Sequence, residues 1–282
     1  MADLAGKTVI VTGGGRGLGR AMVFGLAEAG ANVCAAAHIE DDLKSVDEEA
    51  RDLRLPGQII GQLADLRDAR ACQAVIDQTR DAFGSIYGLV NNAGLTFTYI
   101  APGRYRRGYS KKFYELTDDI VQNVIDTNFV AADRMARLIT PYLIAQGAGC
   151  IVNVTTMLKT MTKSTSSPYG PSKAALENAS EIWVKDLEGT GVSVNILNPG
   201  GAADTPGFTT PEDRELSSEA VGGLVEAYKM KAPICWLMSE EASDVTGMRY
   251  DAGPWDETKD PGMEAKRIGS PLGLTLKPRD KL

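Results

Sequence analysis

One histidine, His38, serves all 282 residues, and that scarcity removes whole reaction classes. A zinc motif built on two histidines is impossible. A serine hydrolase triad would have to rest on His38, which falls at the end of a predicted strand. Long apolar runs are missing as well. No 18-residue stretch is apolar enough to span a bilayer, so no membrane association is expected. No basic segment followed by an apolar run opens the chain, so no secretory leader is expected. Cysteine is sparse. Cys34, Cys72, Cys150 and Cys235 are widely scattered, which argues against a disulfide framework or a metal site and for buried thiols in a reducing, cytoplasmic setting. Positive charge is in deficit. With 30 Lys and Arg against 37 Asp and Glu, the net charge of −7 disfavours wholesale nucleic-acid binding, although it leaves room for one basic patch.

What is present reads as a globular enzyme core. Hydrophobic residues make up 43% and charged residues 24%, ordinary values for a chain able to bury one large core. Apolar β-branched runs predict strands near 7–12, 31–37, 58–63, 87–91, 149–154, 192–197 and 248–251. Helical periodicity predicts helices near 17–29, 41–54, 67–83, 117–146, 169–188 and 229–239. Strict alternation at this pitch gives an α/β fold with a doubly wound parallel sheet in a single domain over residues 1–253. The stretch 254–282 is polar and carries Pro261, Pro271 and Pro278. It is expected to be an irregular tail packed on the domain or on a partner subunit.

Two local patterns carry chemistry. The first is Gly13-Gly14-Gly15-Arg16-Gly17-Leu18-Gly19, set between an apolar strand and a helix. Missing Cβ atoms let backbone approach a pyrophosphate, and the helix start supplies free N–H groups and a favourable dipole. The second is Tyr169 and Lys173, four residues apart at a predicted helix start. That spacing stacks both side chains on one face. An ammonium beside a phenol favours phenolate and brings the pair toward acid–base work near neutral pH.

Thr-Gly-x-x-x-Gly-x-Gly at Thr12 to Gly19, Asn-Asn-Ala-Gly at Asn91 to Gly94, Tyr-x-x-x-Lys at Tyr169 to Lys173, and Pro199-Gly200 after an apolar strand stand in one order. In these motifs the chain resembles the classical short-chain dehydrogenase/reductase family over about residues 4 to 253. The resemblance implies a Rossmann-type fold and an NAD(P)-dependent oxidoreductase interconverting a secondary alcohol and a ketone. Tyr169 would be the general acid and base, Lys173 would lower its pKa and bind the nicotinamide ribose, and Asn128 would hold a water through its backbone. The family uses a serine thirteen residues before the tyrosine, where this chain has Thr156. Threonine keeps the hydroxyl but adds a methyl that stiffens the side chain. The implied cofactor contacts are Gly13, Gly15, Arg16, Gly17, Leu18, Gly19, Asp65, Leu66, Asn92, Ala93, Gly94, Tyr169, Lys173, Pro199, Gly200 and Thr205. Asp65 is also read as the cap of the following helix.

Cofactor choice is read from the second strand. NAD-preferring enzymes place a carboxylate at its end; here Ala37 occupies that place. Arg16 and His38 fall where NADP enzymes of the family carry basic residues, so NADP is favoured. The competing reading has Asp41 or Asp42 reaching the ribose of NAD. The resemblance further implies a homo-oligomer, a tetramer or a dimer, with the helices near 117–146 and 169–188 paired across a two-fold axis.

Two variable segments bear on substrate. Residues 95–116 form a basic, aromatic island that includes Tyr99, Arg104, Tyr105, Arg106, Arg107 and Lys112. Lys159 and Lys163 follow Thr156. Read functionally, these residues draw in an anionic or aromatic substrate; read structurally, they form a solvated loop or a subunit contact. Residues 201–228 read as a mobile cover over the substrate. A sugar-nucleotide epimerase or dehydratase and a catalytically silent dinucleotide sensor are the competing functions.

Overall fold

A computed structural model describes residues 2–106, 109–208 and 210–274. The predicted strands all form: β1 Thr8–Thr12, β2 Asn32–Ala37, β3 Ile59–Leu63, β4 Gly88–Asn91, β5 Gly149–Val154, β6 Val192–Asn198 and β9 Met248–Asp251. A short pair, β7 Ala203–Asp204 and β8 Val225–Glu226, stands apart. The main sheet runs in the order β10-β9-β6-β5-β4-β1-β2-β3 and is parallel except for β10, Ser270–Pro271. Every residue of β1, β5 and β6 is buried, as strands covered on both faces must be.

The helices are α1 Gly17–Glu28, α2 Glu40–Leu53, α3 Ala69–Phe83, α4 Phe97–Ile100, α5 Asp118–Ile125, α6 Ala131–Gln146, α7 Leu158–Met161, α8 Tyr169–Asp186, α9 Pro211–Val221, α10 Lys231–Leu237 and α11 Pro261–Ile268. One apolar layer joins α1, α2, α10 and α11 to the sheet through Leu26, Val46, Ile234 and Ala265. The other joins α3 and α6 to the opposite face through Ile76, Met135 and Ile139. The long helix predicted near 117–146 is α5 and α6 linked by a π-helical turn, Asp126–Val130. Chain direction across the sheet switches between β1 and β4, which pair in register from Val9 and Gly88 onward. The crevice beyond the C-terminal ends of those strands is where open α/β sheets bind ligands.

The tail expectation needs correction. Residues beyond 253 are not irregular through their described length. Asp260 caps α11 by accepting from the Met263 N–H at 2.9 Å, and Pro261 opens the helix at a position where its missing N–H costs nothing. Strand β10 then pairs antiparallel to β9, and Leu272 N donates to Gly247 O at 2.9 Å. Two of the prolines that suggested irregularity, Pro261 and Pro271, sit at a helix start and on an edge strand, both tolerant positions, and Pro278 lies outside the described residues.

The four cysteines are buried and unpaired: Cys34 on β2, Cys72 on α3, Cys150 on β5 and Cys235 on α10. No helix among the described residues is long and apolar enough to cross a membrane.

Candidate active site

The glycine run turns where the sequence placed it. Thr12, at the end of β1, locks the turn to the end of β4: its hydroxyl donates to Val90 O at 3.2 Å and accepts from the Asn92 and Ala93 N–H groups at 2.9 and 3.0 Å. The Asn92 amide donates to Thr12 O at 2.9 Å and to Gly13 O at 3.2 Å. No side chain fits in this contact. A Cβ on Gly13 would stand 2.9 Å from Ala93 Cα, and one on Gly19 would run into the Gly13 carbonyl. Gly17 opens α1 with φ +57, a conformation costly for other residues. The loop, the start of α1 and Leu18 form a cradle of backbone that fits a dinucleotide pyrophosphate. Thr205 and Pro206 lie against Gly17, so the 201–228 segment crosses over this cradle.

Around the adenosine end, Arg16 is held by Asp42, Nε to Oδ2 at 3.5 Å, and both side chains are partly exposed. Exposed His38 lies near Asp65, whose carboxyl is held below its ordinary value chiefly by hydrogen bonding from Arg67. Arg67 Nη2 meets Asp65 Oδ2 at 2.6 Å. Asp65 does not cap α3. Asp68 does, accepting from Arg70 N at 2.8 Å. The Leu66 side chain is buried in the core. At the far rim Gly200 has φ +77 and donates its N–H to Asn198 Oδ1 at 2.9 Å, while Pro199 O accepts from Gly253 N at 2.9 Å.

The catalytic candidates converge at the ends of β4 and β5 and the start of α8. The Thr156 side chain acts on the Tyr169 phenol, and Thr156 is buried. Lys173, one turn along α8, is buried and donates from Nζ to Val154 O at 2.8 Å. Its Nζ would stand 3.5 Å from a Cβ placed on Gly94. Asn128 lies in the π-helical turn, fully buried. Its Oδ1 accepts from Leu95 N at 2.7 Å, and its Nδ2 donates to Leu95 O and Ser172 Oγ, both at 3.0 Å. Turns of this type recur at functional sites. Asn91, by contrast, is structural and donates to Ala132 O and Asn153 Oδ1.

The electrostatics differ from expectation in one respect. Burial pushes the Tyr169 phenol above its ordinary value, opposed by the Thr156 side chain. Burial also brings the Lys173 ammonium down to about 8. The lysine points at a strand carbonyl and is itself costly to keep charged. The depression of the tyrosine expected from it is therefore not present in this geometry.

Sequence reasoning missed the support behind Thr156. Glu177 follows Lys173 by one further turn and is fully buried. Arg249 on β9 reaches it, Nη1 to Oε2 at 2.6 Å. The same guanidinium donates to Thr155 Oγ1 at 3.2 Å and to the Thr156 carbonyl at 2.5 Å. Thr155 also hydrogen-bonds Glu177 Oε2 at 3.0 Å. Glu177 Oε1 has no partner among the described residues. A buried glutamate one turn after Tyr-x-x-x-Lys, on a helix face predicted to be inward, was the available signal.

The basic island divides. Arg106 faces α9, not the cleft: it meets Asp213 at 2.9 Å, Glu212 at 3.1 Å and Thr210 at 3.3 Å. Asp213 is buried, so this contact fastens the 95–116 segment to the cover. Arg107 lies outside the described residues. Lys159 and Lys163 are exposed. Arg104 packs toward Tyr169. Its Cζ sits 3.9 Å over the Phe97 ring, and that ring lies 4.6 Å from the Tyr169 ring.

Residues 7–215 match the family model described as short chain dehydrogenase. The chain belongs to the short-chain dehydrogenase/reductase family. It is similar to the 3-oxoacyl-(acyl-carrier-protein) reductase FabG of Thermotoga maritima, 28% identical over 247 residues, covering 86% of this chain and 95% of that one. It is also similar to the ketoacyl reductase HetN of Nostoc sp., 30% identical over 224 residues, covering 79% and 72%. In fold it matches a protein described as a short-chain alcohol dehydrogenase from Sinorhizobium meliloti 1021, with a TM-score of 0.76, 24% identity, and 89% and 96% coverage. As a short-chain dehydrogenase/reductase it is an NAD(P)-dependent oxidoreductase acting on CH–OH or carbonyl groups.

Proposed function

We propose that this short-chain dehydrogenase/reductase interconverts a secondary alcohol and a ketone with Tyr169 as general acid and base. The observation that carries the reading is that buried Lys173 bonds the end of β5 at Val154 O, beside Gly94, with Tyr169 one turn before it on α8 and Thr156 acting on the phenol. The backbone cradle fits NADP or NAD, which supplies a hydride for reduction or accepts one in oxidation. In reduction Tyr169 gives its phenolic proton to the carbonyl oxygen. Thr156 donates a hydrogen bond to that oxygen as negative charge develops. Lys173 would hold the nicotinamide ribose, and Asn128 fixes the Leu95 backbone beside it. In oxidation Tyr169 takes the proton back. Relatives named for ketoacyl reduction support a carbonyl as the reacting group. The test is turnover of a panel of ketones and secondary alcohols, followed by cofactor absorbance. Oxidation or reduction of the cofactor dependent on such a substrate is expected. Cofactor binding without turnover of any member would favour a dinucleotide sensor, and sugar-nucleotide conversion without net cofactor change would favour an epimerase or dehydratase.

NADP is the cofactor we infer. Ala37 puts no carboxylate at the end of β2, and Arg16 and His38 border the same space. Asp42 partly neutralises Arg16. Arg16→Ala should therefore weaken NADP by about tenfold or more and NAD by much less, because only NADP carries the 2′-phosphate. Asp42→Ala should strengthen NADP by freeing the guanidinium. Fluorescence titration of both cofactors reads this, and equal losses for both in Arg16→Ala would remove Arg16 from the assignment.

A further inference from the structure

Arg104 stands out among the basic side chains of this chain. It is half-buried, and burial pulls its guanidinium below its ordinary value. The charges acting on it include Tyr105 but no carboxylate. Among the described residues no acidic group lies within ion-pair distance of it. Arg106, two residues on, has two carboxylates. A half-buried cation without a counter-charge is desolvated at a cost that a bound anion would offset.

The surroundings fix Arg104 in place. Its Cζ lies 3.9 Å over the Phe97 ring and 5.7 Å from the Tyr105 ring. Its Nη2 donates to Thr165 Oγ1 at 3.1 Å. Thr165 has φ +64, a left-handed backbone that is strained for a β-branched residue. Strain of this kind collects at ligand clamps. The other nitrogens of the fork have no acceptor among the described residues. Phe97, the floor under the guanidinium, is also the ring that packs at a tilt against Tyr169. One aromatic ring thus separates the proposed acid–base from an uncompensated cation. The segment that carries Arg104 meets the segment after Thr156 a second time, at Lys112 and Ser164, 3.5 Å apart. Exposed Lys159 and Lys163, on the segment after Thr156, add further positive charge, with no ion pair among the described residues.

We propose that Arg104 recognises an oxyanion, a carboxylate or a phosphate, carried by the carbonyl substrate at the end remote from the reacting carbon. This rests on the alcohol–ketone reading above. The planar fork suits either oxyanion, and the aromatic walls of Phe97 and Tyr105 suit a flat spacer between the anion and the carbonyl.

Three probes of one shape test the idea: 4-acetylbenzoate, 4-acetylphenyl phosphate and the neutral 4-acetylbenzamide. Each is measured for kcat/KM with NADPH and for equilibrium binding by calorimetry, at low and high salt. The wild type should favour a charged member over the amide by about tenfold or more, with the preference shrinking as salt rises. Which charged member wins separates carboxylate from phosphate. In Arg104→Met, which keeps the stack on Phe97, the charged-to-neutral ratio should fall toward one. Arg104→Lys, which keeps the charge without the fork, should fall between. A ratio near one in the wild type, or equal losses for charged and neutral members in Arg104→Met, overturns the proposal. Tight, Arg104-dependent binding of the charged members without turnover supports Arg104 and overturns the alcohol–ketone reading instead. Turnover with no charge preference does the reverse. Failure to bind or turn over any member overturns the proposal. Thermal melts of both variants separate misfolding from loss of recognition.

Discussion

Tyr169→Phe should lower kcat by about two to four orders of magnitude, the usual worth of a positioned proton donor. Cofactor affinity should stay within a few fold. Phenylalanine keeps the ring against Phe97 and keeps the start of α8, so the packing at 4.6 Å survives. It removes only the hydroxyl that meets Thr156 and that would exchange a proton with the substrate oxygen. Thr156→Ser restores the family's usual residue and retains the donor, so it should remain active, whereas Thr156→Val should follow the tyrosine variant downward. Single-turnover rates with saturating cofactor check both. A kcat in Tyr169→Phe equal to the wild type would take the phenol out of the reaction.

The second large effect is expected behind Thr156, at Arg249. Arg249→Met leaves Glu177 buried without its cation and frees the Thr156 carbonyl from its donor. Breaking a buried pair by removing one partner costs about 3–5 kcal/mol. The double change Arg249→Met with Glu177→Leu should recover most of that stability, because two apolar groups replace two charges. The pH dependence should identify the orphaned carboxylate. Burial already holds the Glu177 carboxyl above its ordinary value, against Arg249 and Thr155, which pull it down. Without Arg249 it rises further. A carboxyl raised on folding contributes stability that is present below its unfolded pKa of about 4.3 and is lost as pH rises through the folded value. The deficit of Arg249→Met relative to wild type should therefore shrink as pH falls from 7 toward 5. Urea titrations across that range read the effect, and a pH-independent deficit would mean that Glu177 is not its source.

Much of the fold was legible because its signals are local. The buried parallel strands are apolar runs, and β1, β5 and β6 could be bounded closely from them. The glycine turn and the Tyr169–Lys173 spacing are local as well. Other parts escaped for physical reasons. Helix α9 has little amphipathic contrast, and its face is set by contacts with Asp204 and Arg106 instead of by a core stripe. Its start was nonetheless written as Thr210-Pro211, with the Thr210 hydroxyl accepting from Asp213 N. Asp260-Pro261 gave the same signal for α11. In both segments the helix-opening proline stands among polar and glycine-rich residues that mask the start signal. The Arg249–Glu177 pair joins residues 72 apart, and only the pairing of β6 with β9 brings them together. The different fates of Arg104 and Arg106, two residues apart, follow from what each meets in the fold: Arg104 lies over the Phe97 ring, whereas Arg106 reaches Asp213 on α9. Composition showed a basic island and not which member faced inward.

The scattered cysteines carry a consequence for how this enzyme can be watched. Burial pushes the Cys34 and Cys150 thiols to about 11 and Cys235 to about 12, and raises Cys72 as well. The nucleophilic thiolate is scarce and shielded in the closed molecule. Two of the thiols, Cys150 and Cys235, lie in one apolar layer, and Cys34 and Cys72 lie in the other. Alkylation can then proceed only through transient opening. The chain thus carries a pair of native reporters on each side of its sheet, and the order in which they react with a soft electrophile tells which side breathes first.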